Sequence, residues 1–275
     1  MKGIMIQGTA SDVGKSILTA ALCRLFINEG YHVAPFKSQN MTSELFITQD
    51  GLKISKIQAV QSEAAKTEPT IWMNPIVLNP KTDTDSEIIM LGKSVEISSG
   101  KNYRDNFYEQ GLNVIKQSLA KLKAQYEIII MEGAGSPVEI NLKNKELVNM
   151  KVSEIADVPV ILVADIERGG VFASIFGTIA LLSEGEKKRV KGIIINKFRG
   201  DRLLFADGIE WIEKNIGIPV LGVIPFVEHH IGKQEVLLNS NTSNCINDEY
   251  DAFLNQIKDH LDYKKIKEIV NNTSI

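Results

Sequence analysis

Six short apolar runs recur along the first 225 residues: Lys2–Gln7, His32–Phe36, Glu127–Glu132, Pro159–Asp165, Gly192–Asn196 and Pro219–Ile224. Most are rich in Ile and Val, and they are apolar at successive rather than alternate positions. A strand that is apolar on both faces must be covered on both faces, which is the situation of a parallel sheet between two helical layers. Helical patterns lie between the runs. Ser16–Asn28 places Ile17, Leu18, Ala21, Leu22 and Leu25 on one face, and Tyr103–Gln125 repeats Phe107, Ile115, Leu119 and Leu122 at helical spacing. Val171–Leu182 and Leu203–Asn215 follow the same logic. The alternation predicts a doubly wound α/β domain with a mainly parallel sheet, binding its ligands at the carboxyl ends of the strands.

Two stretches break the alternation. Residues 51–101 hold one expected helix, Ile54–Lys66, and then Pro69, Pro75 and Pro80. A long excursion between two core strands is more often a functional insertion than filler. After Pro225 the chain turns polar, with Asn-Ser-Asn-Thr-Ser-Asn at 239–244. The expected organisation is a main domain over 1–227, a polar linker over 228–247 and a helical tail over 248–275. In the tail, Asp248 is placed to cap a helix carrying Tyr250, Phe253, Leu254, Ile257 and Leu261. A second helix starts at Tyr263.

Composition narrows the function. Thirty-one basic residues against 34 acidic ones give a net charge of −3, which argues against a nucleic-acid partner. No apolar run approaches the ~20 residues of a membrane span, and the apolar start is too short for a signal peptide. The two cysteines, Cys23 and Cys245, lie far apart and outside any metal-ligand spacing, so a reducing cytoplasm is the expected setting.

The most specific motif is Gly8-Thr9-Ala10-Ser11-Asp12-Val13-Gly14-Lys15-Ser16, which follows the first strand and opens the first helix. That context defines a phosphate loop. Its backbone amides and the helix N-terminus face an anion, Lys15 reaches the outer phosphates, and Ser16 ligates Mg²⁺. The expected ligand is ATP with Mg²⁺. The strict pattern has glycine where Thr9 stands, with Gly8 one place earlier. This variant recurs in the dethiobiotin-synthetase-like branch of P-loop NTPases.

Further motifs accompany the loop. They are Pro35-Phe36-Lys37-Ser38-Gln39-Asn40-Met41, Gln58–Ala65, Glu68-Pro69 with Met73-Asn74-Pro75, and Glu132-Gly133-Ala134-Gly135-Ser136-Pro137 with Glu139-Ile140-Asn141-Leu142. To these add Asp165-Ile166-Glu167-Arg168-Gly169-Gly170-Val171-Phe172-Ala173-Ser174 and Ile195-Asn196-Lys197-Phe198-Arg199-Gly200-Asp201. Together they resemble the N-terminal synthetase domain of the cobyric acid synthase family. The resemblance covers about 1–225.

It implies ATP-dependent amidation of corrin side-chain carboxylates, from adenosylcobyrinic acid a,c-diamide to cobyric acid, through an acyl phosphate. It also implies a homodimer by family analogy. In that reading Lys15, Lys37, Glu132 and Arg168 serve catalysis. Ser16 and Glu132 hold the metal, Glu132 serving it rather than the fold, and Asn196 reads the nucleobase. Gln39, Asn40, Asp165, Arg168, Gly169 and Gly170 meet the corrin substrate. Plainer roles stay open: a solvated strand-end lysine for Lys37, a helix-capping carboxylate for Glu132, a strand-end turn for Asn196, a tight turn at Gly169-Gly170, and simple packing for Gln58–Ala65.

The chain departs from the family pattern in two ways. Glu44-Leu45, Lys53-Ile54-Ser55-Lys56, Asn79 and Glu87 replace usual residues. No glutamine amidotransferase signature is found either: Cys245 sits in Asn-Cys-Ile-Asn and is read as a free linker thiol, and no His-x-Glu pair follows. Ammonia is therefore expected to arrive free or from a separate glutamine amidotransferase subunit. Two alternatives remain at this stage: an ATP-binding relative whose ligase activity is lost or altered, and a ligase for a different carboxylic acid.

Overall fold

In chain order, β1 (Gly3–Gly8), α1 (Lys15–Asn28) and β2 (Val33–Phe36) open the computed structural model, which describes residues 1–229, 231 and 243–272, with the side chains of 101, 104 and 243–248 left aside. An excursion follows: β3 (Gln39–Met41), β4 (Leu45–Ile47), β5 (Lys53–Ser55), α2 (Lys56–Ala64), β6 (Ile76–Pro80), β7 (Asp85–Met90) and β8 (Lys93–Ser99). The alternation then resumes with α3 (Gly100–Asn106), α4 (Tyr108–Lys123), β9 (Ile128–Glu132), α5 (Met150–Ala156), β10 (Val160–Asp165), α6 (Val171–Leu181) and α7 (Glu184–Arg189). It ends with β11 (Val190–Phe198), α8 (Ala206–Ile216), β12 (Val220–Pro225), α9 (Ser243–Ile257) and α10 (Tyr263–Asn271).

The six expected strands form one parallel sheet in the order β12-β11-β10-β1-β9-β2. Successive residues point to opposite faces of a strand, and here both faces are apolar. Met5, Ile129, Met131, Leu162 and Ile195 pack against α4, α5, α6 and α8. Ile4, Ile6, Ile130, Ile161, Val163 and Ile194 pack against α1, α9 and α10. The doubly wound expectation therefore holds, with β1 near the centre and the phosphate loop at its carboxyl end.

Three local expectations are corrected. The single helix over 103–125 is two, parted at Phe107 (φ −111°, ψ 1°). Asp105 and Asn106 are poor interior helix residues, and Phe107 turns inward to stack on Tyr103. The excursion carries a four-stranded sheet, β3-β6-β7-β8, whose Ile76, Leu78, Ile88 and Met90 join the main core. Pro75 and Pro80 hid it: Pro75 precedes β6, and Pro80 is its last residue. The last pair of helices begins at Ser243 rather than Asp248. Most of the expected linker, with His230 and the Cys245 side chain, falls outside the described residues.

The C-terminal helices are part of the core rather than an appendage. Phe253, Leu254, Ile257, Ile266 and Val270 are buried against the sheet. Arg24 of α1, only 1% exposed, makes a two-point ion pair with Asp251 of α9, at 2.8 Å through Nε and 2.8 Å through Nη2. The Tyr250 hydroxyl donates to the Val60 carbonyl of α2 at 2.7 Å. Hydrogen bonds from Arg24 hold the Asp251 carboxyl below the usual carboxylate range. That contribution to stability is complete above the ordinary carboxylate value and is lost as pH falls through the lowered one. Asp251→Ala leaves a buried guanidinium short of acceptors and is expected to cost about 1–3 kcal/mol. Urea unfolding at neutral pH checks the loss, and the difference from wild type is expected to shrink in acid.

Candidate functional site

β1 delivers the loop and α1 receives it. No backbone carbonyl accepts from the amides of residues 10–16 among the described residues, and the first α1 bond inward is Leu18 N–H to Gly14 O. Those free donors at a helix N-terminus make an anion cradle. Gly14 has φ +99°, and a Cβ there would collide with the Asn196 amide. Only glycine therefore lets the loop pass beneath β11.

Two neighbouring residues at the end of β11 brace the loop from outside. Asn196 Nδ2 donates to Val13 O at 2.9 Å, and Lys197 Nζ donates to Asp12 O at 2.7 Å. The Asn196 amide nitrogen is thus engaged with loop backbone, leaving its oxygen for any base. Lys197 also pairs with Asp165 at 2.8 Å, so Asp165 supports the loop. Lys197 has φ +60°, a strained setting for lysine of the kind found where structure serves function.

Glu132, at the end of β9, is the centre of the site and is 1% exposed. Its Oε1 accepts from Ser16 Oγ at 2.8 Å and from Lys37 Nζ at 2.8 Å, and its Oε2 accepts from Gln61 Nε2 at 2.5 Å. Burial alone would raise its pKa. The Lys37 charge, with the three hydrogen bonds, overrides burial and holds the carboxyl below its ordinary range. Lys15, at the other side of the loop, donates to Ala10 O at 2.8 Å and Gly135 O at 3.0 Å. Burial lowers its pKa.

This oxygen set fits magnesium. Ser16 Oγ donates to Glu132 Oε1 at 2.8 Å, so a hydroxyl and a carboxylate of the kind magnesium prefers lie side by side. A cation there would take two protein oxygens and leave the other positions to phosphate and water, the pattern magnesium favours.

Two cavities lie beside this centre, though Glu132 and Lys37 themselves line neither. One, of about 510 Å³, runs from Asp12, Lys15, Ser16 and Asn196 to Phe226, His229 and Phe253. The other, of about 700 Å³, is lined by Gln39, Tyr103, Gly135, Leu147, Lys151 and Arg189, among others. They are related through the 134–136 loop: Gly135 lines the second cavity while its carbonyl accepts from Lys15, which lines the first. Asn149 holds that loop, donating to Ala134 O at 2.7 Å and Ser136 O at 3.1 Å.

Lys15, Ser16, Lys37 and Glu132 are thus brought together. Gln39 lines the larger cavity and accepts from the Tyr103 hydroxyl at 2.7 Å, and Asn40 is buried beside it on β3. Arg168, 66% exposed, lies 3.7 Å from Asp165. Neither it nor Gly169-Gly170 lines either cavity. Asp165 is likewise absent from both. The departures from the family pattern fall elsewhere. Glu44-Leu45 and Lys53–Lys56 sit at the β4–β5 hairpin and the start of α2, and Asn79 hydrogen-bonds Glu87 across β6–β7 at 3.0 Å. None of them lines either cavity.

Sequence reasoning missed Gln61, Asn149, Lys197 and the wall formed by Phe226, Val227, Glu228, His229 and Ile231. Gln61 and Lys197 stood inside quoted motifs, so their polar character beside helical or strand-end positions was the available signal.

Residues 4–235 match the family model described as CbiA, the CobQ/CobB/MinD/ParA nucleotide binding domain. The chain belongs to the CbiA family. Among curated relatives, the cobyric acid synthase of Desulforamulus reducens is 48% identical over 252 residues, covering 91% of this chain and 49% of that protein. The cobyric acid synthase of Geobacillus sp. WCH70 is 45% identical over 269 residues, covering 98% and 53%. The resemblance read from the motifs is borne out, and the chain spans about half the length of these curated relatives. Among solved structures, the signal recognition particle receptor FtsY of Elizabethkingia anophelis in complex with GDP has a TM-score of 0.50 at 16% identity, covering 90% of this chain and 63% of that one. That likeness concerns the fold alone. No described helix of this CbiA domain is long and apolar enough to cross a membrane.

The geometry corrects the expectation that Glu132 serves the metal and not the fold. Glu132→Gln strands Lys37 in the interior and is expected to destabilise the nucleotide-free protein by about 3–5 kcal/mol. The wild-type carboxylate contributes stability that is complete above the ordinary carboxylate range and is lost as pH falls through its lowered value. Urea unfolding from neutral pH into acid should therefore show the two proteins converging.

Proposed function

We propose that this CbiA domain is the ATP-dependent synthetase of a corrin amide ligase, converting side-chain carboxylates to amides as its cobyric acid synthase relatives do. The observation that carries the reading is the convergence of Lys15, Ser16, Lys37 and Glu132 at the carboxyl end of the central strands, with Lys15 and Ser16 on the smaller cavity and Lys15 bonded to Gly135 on the larger. The smaller cavity suits the nucleotide, with its phosphates on the loop. The larger suits the acid, whose reacting carboxylate enters beside Gly135.

In this reaction a substrate carboxylate oxygen attacks the γ-phosphorus of ATP. The bond to the β,γ-bridging oxygen breaks, ADP leaves, and an acyl phosphate remains. Ammonia then attacks the acyl carbon, inorganic phosphate departs, and the nitrogen loses a proton. Lys15 would exchange its Ala10 and Gly135 carbonyl partners for phosphate oxygens. Lys37, fixed by Glu132, is the second cation near the transferring group, where charge builds in the transition state. Mg²⁺ held by Ser16 and Glu132 would supply charge neutralisation on the phosphates.

The alternative of lost or redirected activity draws on the sequence departures. Their position outside both cavities favours retained chemistry. Of the cysteines, Cys23 is buried and its thiol is pushed up by burial, so it is no nucleophile. We propose ammonia as the nitrogen donor, free or supplied by a glutamine amidotransferase.

ATP turnover with ammonium chloride, with and without cobyrinic acid a,c-diamide, is the direct test. Turnover that depends on the diamide is expected, and turnover indifferent to it would overturn the corrin assignment. At fixed total ammonium the rate should rise with pH below the ammonium pKa, following free ammonia. Lys15→Ala removes a charge-assisted contact worth ~1.5–3 kcal/mol. It is expected to weaken ATP binding by one to two decades, at ~1.4 kcal/mol per tenfold. Calorimetric titration checks this, and unchanged affinity in the folded variant would overturn the loop's role.

A further inference from the structure

The motif Gln58–Ala65 is more than a packing helix. It forms most of α2, which runs against α1 and is tied at Val60 to Tyr250 of α9. Gln61 projects from it into the site and is fully buried. Its Nε2 donates to Glu132 Oε2 at 2.5 Å and to the Ser16 carbonyl at 3.2 Å, while its Oε1 is buried with no partner.

The amide has one workable orientation. Turning it over would set its carbonyl oxygen against a carboxylate oxygen and a backbone carbonyl, three acceptors with no proton among them. The nitrogen must face Glu132, so the oxygen must stay unmatched by protein. A buried acceptor without a donor costs free energy; Gln58 on the same helix is also unmatched, but the Gln61 oxygen belongs to the amide that touches Glu132.

We propose that Gln61 is a positioning residue of the cation site. Its amide nitrogen fixes the Glu132 carboxylate, and its amide oxygen accepts from a water bound to the divalent cation. The inference rests on the nucleotide and magnesium reading of the Ser16–Glu132 pair and adds an outer-sphere partner to it. Magnesium sheds its water reluctantly and keeps several in protein sites, and the protons of those waters need acceptors. Glutamine suits the position because it carries a donor for the carboxylate and an acceptor for the water without net charge. A glutamate would repel Glu132 and could not donate to it. A lysine would add a second cation beside Lys37 and compete with the metal.

The test uses the full chain and reads binding rather than turnover. ATP-dependent thermal stabilisation is measured over a Mg²⁺ titration and in EDTA, for wild type, Gln61→Met, Gln61→Glu and Gln58→Met. Gln58 lies one turn earlier on the same helix, is equally buried and has neither amide atom matched, so its variant tests whether any unmatched buried amide, rather than one bonded to Glu132, moves the Mg²⁺ midpoint. Gln61→Met keeps length and apolar bulk, and its loss of ATP binding is expected to be larger with Mg²⁺ than in EDTA. Its Mg²⁺ midpoint should rise by about tenfold, the usual size of an outer-shell loss. Gln61→Glu, the isosteric variant, is expected to bind ATP poorly in EDTA and to recover as Mg²⁺ rises. Gln58→Met should keep the wild-type midpoint.

A folded Gln61→Met with the wild-type Mg²⁺ midpoint overturns the inference. So does an equal loss with and without Mg²⁺, which would mark Gln61 as packing only. If Gln61→Met does not fold, Gln61→Glu decides: ATP binding in EDTA equal to wild type overturns the inference. A wild-type chain that gains no stability from ATP at any Mg²⁺ concentration overturns the site reading itself, and this inference with it.

Discussion

The buried Glu132 carboxylate organises this molecule. Four elements send a side chain to it or carry it: α1 through Ser16, the end of β2 through Lys37, α2 through Gln61, and β9 itself. An ionised carboxylate so far from water is tolerable only when its lone pairs are met by cations and donors. The Lys37 ion pair and three hydrogen bonds meet that requirement, and in doing so they fix the relative positions of the phosphate loop, the excursion and the sheet. The same group that a magnesium ion would use is therefore also a keystone of the nucleotide-free fold.

The loop is held by a second set of contacts from its outer side. Asn196 and Lys197 take consecutive carbonyls, Val13 and Asp12, and Asp165 steadies Lys197. Engaging those carbonyls outward leaves the amides of the loop turned inward and unpaired, which is what an anion site requires. Asn149 performs the matching task for the 134–136 loop, whose Gly135 carbonyl receives Lys15. Two braces thus hold the opposing rims of the site, so little reorganisation is left for the binding of an anion there.

The peripheral parts take their meaning from this centre. The excursion between β2 and β9 contributes Gln39 to the larger cavity and Gln61 to the carboxylate. The C-terminal helices contribute Phe253 to the smaller cavity and clamp α1 and α2 through Arg24–Asp251 and Tyr250–Val60. Positions that drift from the family pattern gather on the β4–β5 hairpin, the start of α2 and the β6–β7 pair. There the buried Asn79 donates to Glu87, so this part of the drift is absorbed by a cross-strand hydrogen bond away from both cavities.

The chain's own pattern determined the layered sheet and the phosphate loop, and it singled out Lys15, Ser16, Lys37 and Glu132, which the structure brings together, along with Arg168, which it leaves exposed and outside both cavities. Those features are local: a run apolar on both faces, a glycine turn between strand and helix, a polar residue ending an apolar strand. The four-stranded excursion sheet was masked by Pro75 and Pro80, which read as breakers although they stand at the ends of a strand. The roles of Asp165, Asn196 and Lys197 as loop braces, and of Gln61 as a partner of Glu132, were decided only by the tertiary structure. Each depends on a hydrogen bond between residues separated by many positions in the chain, and hydrogen-bonding groups of one type look alike in a sequence whichever partner they meet. The docking of α9 and α10 was settled in the same way. Their apolar faces were legible, but the surface that buries them exists only once the parallel sheet has formed.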